Sequence, residues 1–122
     1  MNPNELKPER PQVLVVCGKN KRRSRTAEYL FKNDRRFSIR SVGLSPKSER
    51  QIQARDAAWS DLILVMEDAH KSRIVQLYRD VNIAPIQVLH IDDVYEFQDP
   101  ELIELLTDRI NAAIDLYFEA NV

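Results

Sequence analysis

Residues 13–31 constrain this chain more than any other stretch. Val13, Leu14, Val15 and Val16 run without a break into Cys17, the only cysteine. A polar loop follows, in which Arg23 stands six residues past the cysteine with Ser24 beside it. Ala27, Leu30 and Phe31 then recur at helical spacing. A continuous aliphatic run predicts a strand buried on both faces. The switch to a helical period directly after a short loop predicts a strand–loop–helix junction. Such a junction turns backbone N–H groups and the positive helix end toward whatever the loop encloses, so it suits a phosphate-sized anion. The same surroundings favour the thiolate form of a cysteine placed there.

The rest of the chain repeats the alternation of strand and helix. Residues 37–42 alternate apolar and polar, as a half-buried edge strand does. Residues 49–58 read as a weak helix. Leu62 to Met66 is a second fully apolar strand, followed by a helix over 69–80 with Asp68 as its N-cap. Residues 86–91 form a fourth strand. Asp99-Pro100 marks an N-cap with proline at the first helical position, and apolar residues at helical spacing continue to near Glu119. The order β-α-β-α-β-α-β-α predicts an α/β fold: an open four-stranded parallel sheet, doubly wound with helices on both faces. Residues 1–11 hold three prolines and are expected to form a loose N-terminal arm, leaving 12–122 as a single domain. Ligands of such sheets bind beyond the carboxyl ends of the strands. Cys17, Asp92 and Asp93 all fall there.

Composition narrows the function classes. A net charge of −1 suggests neither nucleic acid nor a membrane surface as partner. The charges are unevenly placed, however: Lys19, Lys21, Arg22, Arg23 and Arg25 crowd the loop and helix start with no acid among them. A single cysteine excludes an internal disulfide and a multi-cysteine metal site, and it fits a reducing, cytoplasmic compartment. His70 and His90 have no partner at metal spacing and read as structural or surface groups. No metal and no cofactor is expected. No run of 18 apolar residues exists to span a membrane.

Five residues separate Cys17 from Arg23, a loop of a length that can wrap one phosphate with its successive N–H groups. Arg23 can clamp two phosphate oxygens, and Ser24 can donate its hydroxyl to the sulfur. A thiolate facing a bound phosphate ester is placed for in-line attack. The leaving group then needs a proton, which Asp93 or Asp92 could supply. The residues alone also allow a non-catalytic phosphate-binding module, or a carrier that stores a phosphocysteine.

The stretch Val16 to Glu28 resembles the signature of the low-molecular-weight protein tyrosine phosphatases in its cysteine, five intervening residues, arginine, serine and following Ala-Glu. Ser41-Val42-Gly43, the run from Trp59 to Glu67 and the segment Ile91 to Tyr95 are similar to later motifs of that family. The resemblance implies Cys17 as nucleophile, Arg23 as phosphate clamp and Ser24 as thiolate stabiliser. It implies a left-handed, loop-bracing role for Asn20, with Gly18, Lys19, Lys21 and Arg22 completing the phosphate loop. It favours Asp93 over Asp92 as general acid and makes Tyr95 an aromatic at the pocket rim. The expected partner is a phosphorylated protein or a small phosphomonoester. Arsenate reductase shares the fold, but its chemistry usually needs further cysteines. The chain departs from the family at Lys19, where a glycine is usual, at Arg22, where a second cysteine is usual, and at Val94, where a proline follows the acid. These cations suggest a substrate more anionic than a simple phosphotyrosine peptide.

Overall fold

The computed structural model describes residues 10–121, so most of the expected N-terminal arm lies outside the described residues. Strand β1 (Gln12–Cys17) is followed by α1 (Arg23–Phe31), β2 (Ser38–Gly43), α2 (Ala54–Trp59), β3 (Leu62–Val65), α3 (Asp68–Leu77), β4 (Ile86–Val88) and α4 (Pro100–Ala120). The four strands form one sheet in the order β2-β1-β3-β4. Every pairing is parallel, with Cys17 opposite Gly43 and Val16 opposite Val65.

Two cores follow from the two-residue period of the central strands. Val13, Val15 and Cys17 of β1, with Leu62 and Leu64 of β3, pack on one face against Ala27 and Phe31 of α1 and Leu102, Leu106, Ile110 and Ile114 of α4. Leu14 and Val16, with Ile63 and Val65, pack on the other face against Val42, Ile52 and Ile74, with Trp59 covering the edge. Both sides of β1 and β3 are therefore sealed from water, which is why these two strands read as unbroken aliphatic runs. The chain leaves β1 toward β2 on one side and reaches β3 on the other. The crevice at the carboxyl ends of β1 and β3 is the switch point of the sheet.

Expected boundaries shift in three elements. The helix expected over 49–58 begins only at Ala54, because residues 50–52 pair with the end of β2: Gly43 N–H donates to Arg50 O and Ile52 N–H to Gly43 O, both at 2.8 Å. The buried Asp56 carboxylate then accepts the Gln53 N–H at 2.8 Å and holds the helix start. The N-cap of α3 is Glu67 rather than Asp68, and its carboxylate is turned away toward Arg23 instead of capping. The helix itself ends at Leu77. Strand β4 is shorter than expected because His90 is left-handed (φ 56°), which breaks the pleat, although Leu89 and Ile91 still donate to Val65 O and Met66 O. By contrast Asp99 caps α4 as its sequence context predicts, accepting the Glu101 N–H at 2.9 Å.

Candidate active site

At the end of β1 the backbone turns sharply, and the loop 18–22 lies against the end of β2. Cys17 O accepts the Leu44 N–H at 3.0 Å and Gly18 O accepts the Ser45 N–H at 2.7 Å. Gly43 has to be a glycine for this: a Cβ there would stand 2.6 Å from Asn20 N and 2.7 Å from the carbonyl carbon of Lys19. Asn20 takes φ 49°, the left-handed conformation that asparagine tolerates better than most residues.

A directed chain of hydrogen bonds runs through the loop to the sulfur. Ser41 Oγ donates to Glu28 Oε1 at 2.9 Å, so its oxygen is free to accept from Asn20 Nδ2 at 3.0 Å. The other Asn20 Nδ2 hydrogen goes to Ser24 Oγ at 2.8 Å. Ser24 Oγ lies 2.9 Å from Cys17 Sγ, a hydrogen bond in which the hydroxyl can donate to the sulfur. The Asn20 backbone N–H gives the sulfur a second donor at 3.2 Å. Asn20 and Ser24 are buried, and in a low-dielectric interior such a chain polarises toward the charge at its end. The sulfur thus lies beside these polar groups, at the N-terminus of a helix that shows no side-chain cap among the described residues.

Arg23 is 4% exposed, so its charge requires partners. One terminal nitrogen donates to Glu67 Oε2 at 2.6 Å and to Ile91 O at 2.7 Å. Its Nε faces Asp93 Oδ1 at 3.6 Å. The guanidinium is oriented by elements from two other strand ends before any ligand arrives. The hydrogen bond from Arg23 holds the Glu67 carboxyl below its ordinary range, against a smaller opposing effect of burial.

Cys17, Lys19, Lys21, Arg22, Arg23 and Asp93 line one cavity of about 110 Å³. The structure therefore brings the nucleophile, clamp and acid candidates together. Asp92 is exposed and does not line the cavity. Tyr95 does not line it either; its ring packs against the α1/α4 core. Arg22 pairs with Glu96 at 3.3 Å, and Arg25 pairs with Glu49. Among the described residues no cluster of His, Cys, Asp and Glu could hold a metal ion, and no helix is long and apolar enough to cross a membrane.

The sequence assigns no individual role to Glu28, Ser41 or Glu67, although all three fall within the motifs quoted above, and it reads His70 as a structural or surface group. His70 is buried against Gly18, where an added Cβ would lie 3.9 Å from Nε2, and its Nδ1 finds no partner among the described residues. Burial first and the Arg23 charge second lower its pKa from the ordinary 6.5, against weaker pulls from Glu67 and Asp93. The unfolded chain then takes up a proton near 6.5 that the folded chain resists, so stability present above that pH is lost as pH falls below it. Thermal midpoints of the wild type are expected to drop between pH 7.5 and 5.5, and those of His70→Gln to stay flatter. Parallel slopes would remove His70 as the cause.

No protein-family model and no curated protein sequence matches the chain. Solved structures do. Over 86% of this chain and 91% of its own, the low-molecular-weight protein tyrosine phosphatase SP-PTP of Streptococcus pyogenes superposes with a TM-score of 0.72 at 18% identity. The tyrosine phosphatase Wzb of Escherichia coli K30, solved with phosphate, covers 86% of this chain and 96% of its own, with a TM-score of 0.65 at 22% identity. The YwlE arginine phosphatase of Geobacillus stearothermophilus covers 88% and 94%, with a TM-score of 0.60 at 20% identity. The fold is the one these phosphatases share, with Cys17 at the end of its first strand.

Proposed function

We propose that the chain is a cysteine-dependent phosphomonoester hydrolase that works through a phosphocysteine intermediate, with phosphorylated protein as substrate and phosphotyrosine as the reading its tyrosine phosphatase neighbours favour. The observation that carries this reading is a sulfur within hydrogen-bond distance of the Ser24 hydroxyl and the Asn20 N–H, in a cation-lined cavity shared with the Asp93 carboxyl. The phosphoryl group sits over the loop amides with Arg23 on its oxygens. The Cys17 thiolate attacks phosphorus, and the bond to the leaving oxygen breaks as that oxygen takes a proton from the Asp93 carboxylic acid. Water then attacks the phosphocysteine and gives a proton back to Asp93. The phosphorus–sulfur bond breaks, releasing inorganic phosphate and restoring the thiolate.

Asp93 pairs with Arg23 across the cavity wall. An arriving phosphoryl dianion competes for that guanidinium and, being of like charge, favours the protonated carboxyl that the leaving group needs. Acid-quenching a reaction with 4-nitrophenyl phosphate should trap phosphate on the Cys17 peptide, read by mass spectrometry. Release of 4-nitrophenol with no label on Cys17, or no release at all, overturns the mechanism. A stable label without turnover would assign the carrier role instead.

A further inference from the structure

The cavity is lined by more cations than its own ion pairs engage. Four positive side chains, Lys19, Lys21, Arg22 and Arg23, line it against the single carboxylate of Asp93, and no aromatic ring is among the lining residues. Two of the four are already engaged: Arg23 with Glu67 and Asp93, and Arg22 with Glu96. Lys19 and Lys21 are exposed, and among the described residues neither has an acidic partner within 4.0 Å. They flank Asn20, whose buried side chain and left-handed backbone are fixed by Ser24, Ser41 and the sulfur. The Lys19 backbone is wedged against Gly43. The roots of both side chains are therefore held in place at the cavity mouth while their ammonium groups remain free.

Nothing in the folding of this chain calls for that arrangement. Cations at a helix N-terminus oppose the helix dipole, and α1 has no acidic residue in its first turn to offset them. From this we infer a second anion subsite at the mouth of the cavity, formed by Lys19 and Lys21, that takes a carboxylate or phosphate group next to the scissile phosphate. This rests on the hydrolase reading and names its substrate class: phosphopeptides with acidic residues beside the phosphorylated one. The same charges disfavour a phosphorylated guanidinium, which would bring its own positive charge to the two lysines.

The test uses two phosphopeptides of equal length around one phosphotyrosine, flanked in one by Asp and Glu and in the other by Ser and Gly. At low salt the wild type should prefer the acidic peptide by about tenfold in kcat/KM, through KM, the size expected for two exposed ion pairs. The preference should shrink toward one at high ionic strength. In the variant carrying Lys19→Ala and Lys21→Ala the ratio should fall to about two or less. Equal kcat/KM for the two peptides in wild type, or an undiminished ratio in the double variant, overturns the subsite. Equilibrium binding of the same peptides to Cys17→Ser separates the two readings. If the wild type turns over neither peptide, the hydrolase reading fails. Binding that still favours the acidic peptide, and loses that preference when both lysines are removed, keeps the subsite; equal affinities remove it.

Discussion

Cys17→Ser is expected to lower kcat for 4-nitrophenyl phosphate by roughly four orders of magnitude or more, the scale seen when a covalent nucleophile is removed. The serine should fit the site. Cys17 is 3% exposed, and a hydroxyl can keep the contacts with Ser24 Oγ and the Asn20 N–H. What is lost is the sulfur nucleophile: a serine hydroxyl with no base beside it is a far weaker one. The variant should therefore unfold close to the wild-type temperature and still bind inorganic phosphate, which uses the loop amides and Arg23. A residual rate within tenfold of wild type would show that the sulfur is not the nucleophile. Loss of folding as well as activity would be recognised by circular dichroism.

Arg23→Lys should be nearly as damaging, with kcat/KM down about 10²–10³-fold, the usual cost of removing one preorganised donor to the transition state. Charge is conserved in this substitution, so the loss reports geometry. One guanidinium nitrogen holds Glu67 Oε2 and Ile91 O while the rest of the fork faces the cavity and Asp93. A single ammonium cannot reach back to both anchors and forward to a phosphate at once. The substitution also removes a donor from the Ile91 carbonyl, and an unmet buried acceptor costs about 1–3 kcal/mol, which a thermal melt would register. Unchanged affinity for inorganic phosphate in Arg23→Lys would mean that the loop amides alone bind the anion and that Arg23 is structural.

The fold was largely legible. Val13 to Val16 and Leu62 to Val65 are aliphatic on both faces, and only a strand covered by helices on both sides explains that. The spacing of Cys17, Arg23 and Ser24 could be read for the same reason: local chain geometry alone puts them around one loop. Legibility failed where a residue's partner is distant in sequence. Glu67 looks like an ordinary residue before a helix until β3 lies beside β1 and brings it to Arg23. Gln53 and Asp56 set the start of α2, but residues 50–52 read as helix in the sequence because their pairing with Gly43 is a tertiary contact. Tyr95 is not assigned to core or rim by its neighbours in sequence, since the core it packs against is assembled from residues spread along the whole chain.

By itself, then, the sequence determined the alternation of elements, the parallel sheet and the phosphate-sized loop, because each follows from periodicity and spacing within a few turns of chain. The tertiary structure alone decided which acid faces the cavity, which residues aim Arg23 and surround the sulfur, and which lysines lack an acidic partner among the described residues. Those outcomes depend on packing three strand ends side by side across the switch point, and no local pattern encodes the distances between them.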